Sequence, residues 1–195
     1  MDFVHLHMHS HYSLLDGLSR IPDMVALAKE KGMKALALTD HGNMYGAIEF
    51  YKACVKAGIK PIVGQEMYMA NRGRNDRTPK LDDSPYHLIL LAKNDKGYRN
   101  LLQLTTKAHL EGFYYKPRID FELLQQHHEG LIALSACLGG HISQSLLSNR
   151  HEEAEMFAAK YKEIFGPDYY LELQHHPHIP EQATVNEGLK ALAKK

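Results

Sequence analysis

No tryptophan occurs among the 195 residues, and cysteine appears only twice, at Cys54 and Cys137. Two cysteines cannot build the disulfide framework of a small secreted domain, so a reducing, cytoplasmic setting is the expectation. No stretch approaches the ~18 consecutive apolar residues that cross a bilayer, and the opening Met1-Asp2-Phe3-Val4-His5 lacks a basic and then apolar leader. Charge of one sign is not in excess either. Lys and Arg number 23, as do Asp and Glu, which excludes a global basic field that would hold nucleic acid through its phosphates. A low-complexity tract or linker is missing, and the hydrophobic fraction of 44% with 24% charged residues is that of a folding chain of roughly one domain. What the chain has in abundance is histidine, with 14 in all and four within the first eleven residues. That bias points to metal or acid/base chemistry.

Residues 4–9 alternate strictly, apolar with imidazole, which predicts a strand with histidines on one face. Ser19 and Pro22 offer helix-start signals, and an apolar stripe runs from Met24 to a stop at Gly32. The pattern repeats: a short apolar strand over 35–39 ends in Asp40-His41-Gly42, a helix runs to Gly58, and another buried strand follows at 61–64. Later strands are expected over 88–92, 131–135 and 169–173, and helices over 97–110, 152–165 and 181–194. Strands alternating with helices predict an α/β fold with a mostly parallel sheet. No glycine-rich phosphate loop follows the first strand, so a barrel is preferred over an open nucleotide-binding sheet. A complete eight-fold barrel takes ~250 residues. Six strand–helix units fit here and the last helix runs to the final residue, so a barrel truncated at its C-terminal end is expected. Residues 71–85, carrying Arg72, Arg74, Arg77 and Lys80, read as a long exposed loop. If its flanks form a hairpin, Glu66 and His87 meet at one rim.

Barrel chemistry collects at the C-terminal ends of the strands. There the sequence places His7, His9, Asp40, His41, Glu66, Cys137, His175 and His176, with His87 joining through the hairpin. His5 and His11 are six residues apart, about 20 Å along a strand at ~3.3 Å per residue, so all four early histidines cannot share one ion. Neighbours on one face, such as His7 and His9, can. Each residue also has a plainer reading: alternate histidines as a solvated face, Asp40 as an ordinary turn residue, Glu66 as a surface carboxylate, Cys137 as a small buried hydrophobe. His109, His127, His128 and His151 lie in helical stretches among polar neighbours, where a solvated face is expected.

Three blocks in order carry a specific resemblance: His7-Met8-His9-Ser10-His11-Tyr12-Ser13 with Leu14-Leu15-Asp16-Gly17, Leu38-Thr39-Asp40-His41-Gly42-Asn43, and Gly58-Ile59-Lys60-Pro61-Ile62-Val63-Gly64. Together with 86–92, 134–140 and 170–174 they make the whole chain resemble the polymerase-and-histidinol-phosphatase (PHP) domain, in the branch that opens bacterial DNA polymerase III alpha subunits. The resemblance implies a distorted seven-stranded, TIM-like (β/α)7 barrel with up to three ions, zinc or else manganese or iron, at its rim. Carried over by position, the ligands would be His7, His9, Asp16, His41, Glu66, His87 and Cys137. The family's further Asp-x-His pair would lie beyond residue 195, as would the last strand–helix unit and the polymerase domains, so residues 1–195 are expected to be an incomplete PHP domain. His175 and His176 depart from the family pattern and stay unassigned. The implied function is a metal-dependent phosphoesterase within a DNA-directed DNA polymerase, with 3'–5' exonuclease activity. DNA, replisome subunits and a separate proofreading exonuclease would be its partners, with no membrane. The alternatives are a structural module that docks that exonuclease, and a stand-alone phosphomonoesterase of the histidinol-phosphatase type.

Overall fold

The computed structural model describes residues 3–14 and 16–195; Met1, Asp2 and Leu15, which fall in the opening segment and in the Leu14-to-Gly17 block, lie outside the described residues. In chain order the elements are α1 (Ile21–Glu30), β1 (Ala35–Leu38), α2 (Ala47–Ala57), β2 (Lys60–Met69), β3 (Tyr86–Ala92), α3 (Asp95–Leu110), β4 (Arg118–Ile119), α4 (Phe121–His127), β5 (Leu131–Leu134), α5 (His141–Leu147), α6 (His151–Phe165), β6 (Tyr169–Tyr170) and α7 (Pro180–Leu192). The strands join in the order β1-β2-β3-β5-β6, and β4 pairs with the far end of β2.

The sheet is mixed, in contrast to the mostly parallel one expected. β1, β4 and β6 lie parallel to their partners, but β3 runs antiparallel to both β2 and β5. The reason is the hairpin: residues 71–85 return the chain directly beside β2, without the helical crossover a parallel neighbour needs. Alternation then sorts the side chains. On β3, Leu88 and Leu90 face outward into the large cluster under α3 to α7, while Ile89 and Leu91 pack inward with Ala37, Leu134 and Ala136. The same parity on β2 sends Met67 and Met69 outward and leaves Glu66 and Tyr68 on the inner face, opposite Ile89 and His87.

Residues 4–9 do not form the strand that their alternation predicts. They do run beside β1, where Ala37 N donates to His5 O (3.0 Å) and Thr39 N to Met8 O (2.8 Å). Three residue steps on this segment face two on β1, and a bend at His7 absorbs the surplus, so a regular ladder cannot form. The sheet curls until its ends approach, and His7, beside β1, touches Glu172, just past β6, across 2.7 Å. Between them lies a cavity of about 730 Å³ lined by Ile62, Leu91, Leu134 and Leu171.

The 71–85 loop is less free than its composition suggests. Arg118, fully buried, donates to the carbonyls of Asp82 (3.0 Å), Arg74 (3.0 Å), Asp76 (2.8 Å) and Gly112 (3.0 Å). Arg72 pairs with the buried Asp82, and Arg74 with Asp120, Glu111 and Glu122. Two of the loop's cations are therefore committed to folding it rather than to phosphate.

His141, 2% exposed, stacks on Tyr86, packs at a tilt against Phe157 and shares a 2.8 Å hydrogen bond with Tyr161. Burial, with the charge of Lys160 adding, depresses its pKa to about 3. The unfolded chain binds this proton more readily, so the stabilisation is complete above pH ~6.5 and is lost progressively as pH falls toward 3, by up to roughly 5 kcal/mol. Thermal melts between pH 7 and 4 should show a steeper loss for the wild type than for His141→Phe. Parallel curves would contradict the assignment.

Candidate metal centre

Backbone pairing fixes the rim before any side chain is considered. His41 bridges to Glu66 and His87 to Gly140 in parallel fashion, with Gly42 N donating to Glu66 O (2.9 Å) and His87 N to Gly139 O (2.9 Å). A Cβ at Gly139 would stand 2.8 Å from His87 Nδ1, so the Gly-Gly turn is what lets the 137–140 segment approach that ring. Ala136 takes the left-handed conformation at φ 64°, which costs a non-glycine residue about 1 kcal/mol and turns Cys137 toward the rim.

Five of the other six side chains, those of His7, His9, His41, His87 and Cys137, converge on Glu66, which is 1% exposed. Its Oε2 lies 3.0 Å from His7 Nε2, 2.9 Å from His9 Nε2 and 3.3 Å from His41 Nδ1. Its Oε1 lies 2.5 Å from His87 Nδ1 and 3.6 Å from Cys137 Sγ, itself 3.5 Å from His87 Nδ1. Asp16 reaches the group from the solvent side through His41 Nε2, at 2.7 Å with 55% of its side chain exposed.

Electrostatically the centre asks for a cation. Burial opposes charge on His7, but hydrogen bonds to Glu172 and Glu66 outweigh it and raise the imidazole to about 10. Burial also opposes charge on Glu66, yet hydrogen bonds from His7, His87 and His9 hold it well below the usual carboxylate range. Burial, reinforced by Glu66, pushes the Cys137 thiol up to about 12. The donor atoms of His7, His9 and Glu66, and those of His41, Glu66 and His87, form two sets in which all atoms lie within 4.8 Å of one another. His7 Nε2 and His9 Nε2 are 3.1 Å apart, and His41 Nδ1 is buried without a hydrogen-bond partner among the described residues. Imidazole nitrogens gathered round one carboxylate, with a thiol alongside, fit a zinc-type donor set once they give up their protons.

The profile of the PHP domain family matches residues 5–176. The chain belongs to the PHP domain family. Among curated relatives, the DNA polymerase III subunit alpha of Treponema pallidum is 56% identical over 195 residues, and that of Borreliella burgdorferi is 54% identical over 188, covering 99% and 96% of this chain. This PHP chain spans 17% and 16% of their lengths. A crystal structure from Bifidobacterium adolescentis, provisionally assigned as a metal-dependent phosphoesterase, shares the fold with a TM-score of 0.59 at 15% identity, covering 98% of this chain and 83% of that one.

Other residues in this PHP fold do framing work. Asp40 accepts from Ser10 N (2.6 Å), Ser10 Oγ (2.8 Å) and Ser13 Oγ (3.0 Å), so it is the turn residue of its plainer reading while its neighbour His41 enters the centre. Ser13 was not singled out by sequence, yet its Oγ accepts from His41 N (2.9 Å) and lies 3.0 Å from His9 Nδ1, which leaves His9 Nε2 turned to the centre. Glu172, also missed, reaches His7 from the opposite side to Glu66. In the sequence it is one acidic residue in an alternating stretch, and nothing local marks it. His109 is not merely solvated: its Nε2 binds Gly42 O at 2.8 Å and props the His41 turn. His5, His175 and His176 line the neighbouring cavity.

Proposed function

We propose that this chain is the N-terminal metal-binding domain of a replicative DNA polymerase catalytic subunit, and that its rim hydrolyses phosphodiesters at a DNA 3' end. The observation that carries the reading is Glu66, a buried carboxylate approached by four imidazoles and a thiol. His7, His9, His41, Glu66, His87 and Cys137, with Asp16 at the mouth, would hold up to three ions, zinc or else manganese or iron. A divalent cation supplies Lewis acidity toward a phosphoryl oxygen and activates water at neutral pH. The chain's own part is to fix the donors and keep Glu66 dry, while Asp16 faces incoming solvent. Beside the centre, Lys116 Nζ sits 5.4 Å from the Tyr68 ring centroid, and that ring stacks on His41. In this reading Lys116 would meet the phosphate of an incoming phosphodiester.

The test is release of nucleotide from 3'-labelled single-stranded DNA by the purified chain with zinc or manganese. Chelator-sensitive release that disappears in the His7→Ala/His9→Ala double variant, with an unchanged circular-dichroism melt, is the expected result. No release under either metal would overturn the hydrolase reading. Release of phosphate only from small monoesters would favour the histidinol-phosphatase type. A second reading, docking of a separate proofreading exonuclease, is favoured by Ile48, Tyr51 and Val55, exposed at helical spacing on α2. No helix among the described residues is long and apolar enough to cross a membrane.

A further inference from the structure

We infer that Glu172 is a positioning residue for His7: it holds the imidazole with Nδ1–H directed away from the centre, so that Nε2 presents its lone pair to a metal ion. The inference rests on the reading of His7 as a ligand and goes beyond it, because it concerns a residue outside the donor set. The two ring nitrogens of His7 face opposite ways, Nε2 toward Glu66 and His9, and Nδ1 toward Glu172 Oε1 at 2.7 Å. An imidazole between a metal position and a carboxylate has its tautomer and ring plane set by that carboxylate, and its basicity as a donor rises.

Glu172 is itself held in place. Its backbone N donates to Ser135 Oγ (2.8 Å), one residue past the β5·β6 pairing, while Ser135 N donates to Tyr170 O (3.0 Å). Gln174 Nε2 donates to Glu172 Oε1 (2.7 Å) and also stands 3.1 Å from His7 Nδ1. Asn186, on α7, donates to Gln174 O (2.8 Å), which ties this arm to a helix. The parallel β5·β6 pair thus carries both Cys137 and Glu172 to the same rim, one into the centre and one behind it. A carboxylate fixed at its backbone and side chain and only 10% exposed is built to orient its partner. Its second oxygen, Oε2, is buried with no hydrogen-bond partner among the described residues.

The experiment measures zinc affinity by chelator competition in the wild-type chain, Glu172→Ala and Glu172→Gln, together with the His7 ring 15N shifts in the zinc-loaded forms. Glu172→Ala is expected to bind 10- to 100-fold more weakly. Glu172→Gln, whose amide oxygen still accepts from Nδ1–H, should recover most of that loss, with His7 retaining an Nδ1–H signature and an Nε2 metal contact. Metal-free melts serve as the folding control. Wild-type affinity in the alanine variant, or unchanged ring shifts, would overturn the inference while leaving the centre intact. Equal loss in both variants with one ion fewer per chain would also overturn it, since Glu172 would then be a ligand. Failure of the wild-type chain to take up zinc would instead refute the metal reading itself, and this inference with it.

Discussion

Glu66→Gln, nearly identical in shape, is expected to reduce zinc affinity by at least ~100-fold and to destabilise the metal-free chain by about 3–5 kcal/mol at neutral pH. Both effects have one cause. The carboxylate is the point on which His7, His9, His41 and His87 converge, and after Glu172 it is the second group whose hydrogen bond and charge raise the His7 imidazole. An amide supplies no charge, and its NH2 would face imidazole nitrogens that now lack a common acceptor. Asp16→Asn gives the contrast: the Asp16 side chain is more than half exposed and pairs with His41, so the same chemical change at the mouth should cost little stability. Chelator competition and denaturant melts of both variants decide the matter. Equal behaviour would show that the centre does not depend on its buried carboxylate.

Arg118→Ala should be the most damaging change away from the centre, lowering stability by about 3–5 kcal/mol, or on the order of 10 °C in melting temperature. The arginine is completely buried, and its guanidinium is the common donor to three carbonyls of the 71–85 loop and to Gly112. Truncation removes the guanidinium donor from all four carbonyls, of which Gly112 O keeps only the Arg118 backbone N–H. The loop contains Arg72, Arg74, Arg77 and Lys80, so its release should also appear as rapid tryptic cleavage there. A variant with wild-type melting and unchanged proteolysis would mean the loop is held by the Arg74 and Arg72 ion pairs alone.

The contrast between Arg118 and Glu66 also shows what could be read from the residues. His41 and Cys137 follow apolar strands closely, so strand ends marked them; Glu66 was marked by the apolar run before it, although β2 continues past it to Met69, and the hairpin brings His87 to it through the side chains. Asp16 entered only through family resemblance, because a loop carboxylate has no periodicity to expose it. Arg118 sits in a two-residue strand and α4 and α5 have seven residues each, too short for a hydrophobic period to develop. The 4–9 alternation was real as a pattern, but the bend at His7 redirected it, so that His7 and His9 reach the centre and His5 does not. Glu172 was invisible because its role depends on the sheet curling until its two ends meet.

As proposed above, the rim would act as a metal centre with mixed nitrogen, oxygen and sulfur donors. X-ray absorption on the zinc-titrated chain, with metal quantified per chain, tests it most directly. At least one tightly held ion per chain is expected, with a coordination shell dominated by imidazole and carboxylate and a sulfur contribution near ~2.3 Å that vanishes in Cys137→Ser. A chain that takes up no zinc at micromolar concentration, or whose shell contains oxygen alone, would contradict it.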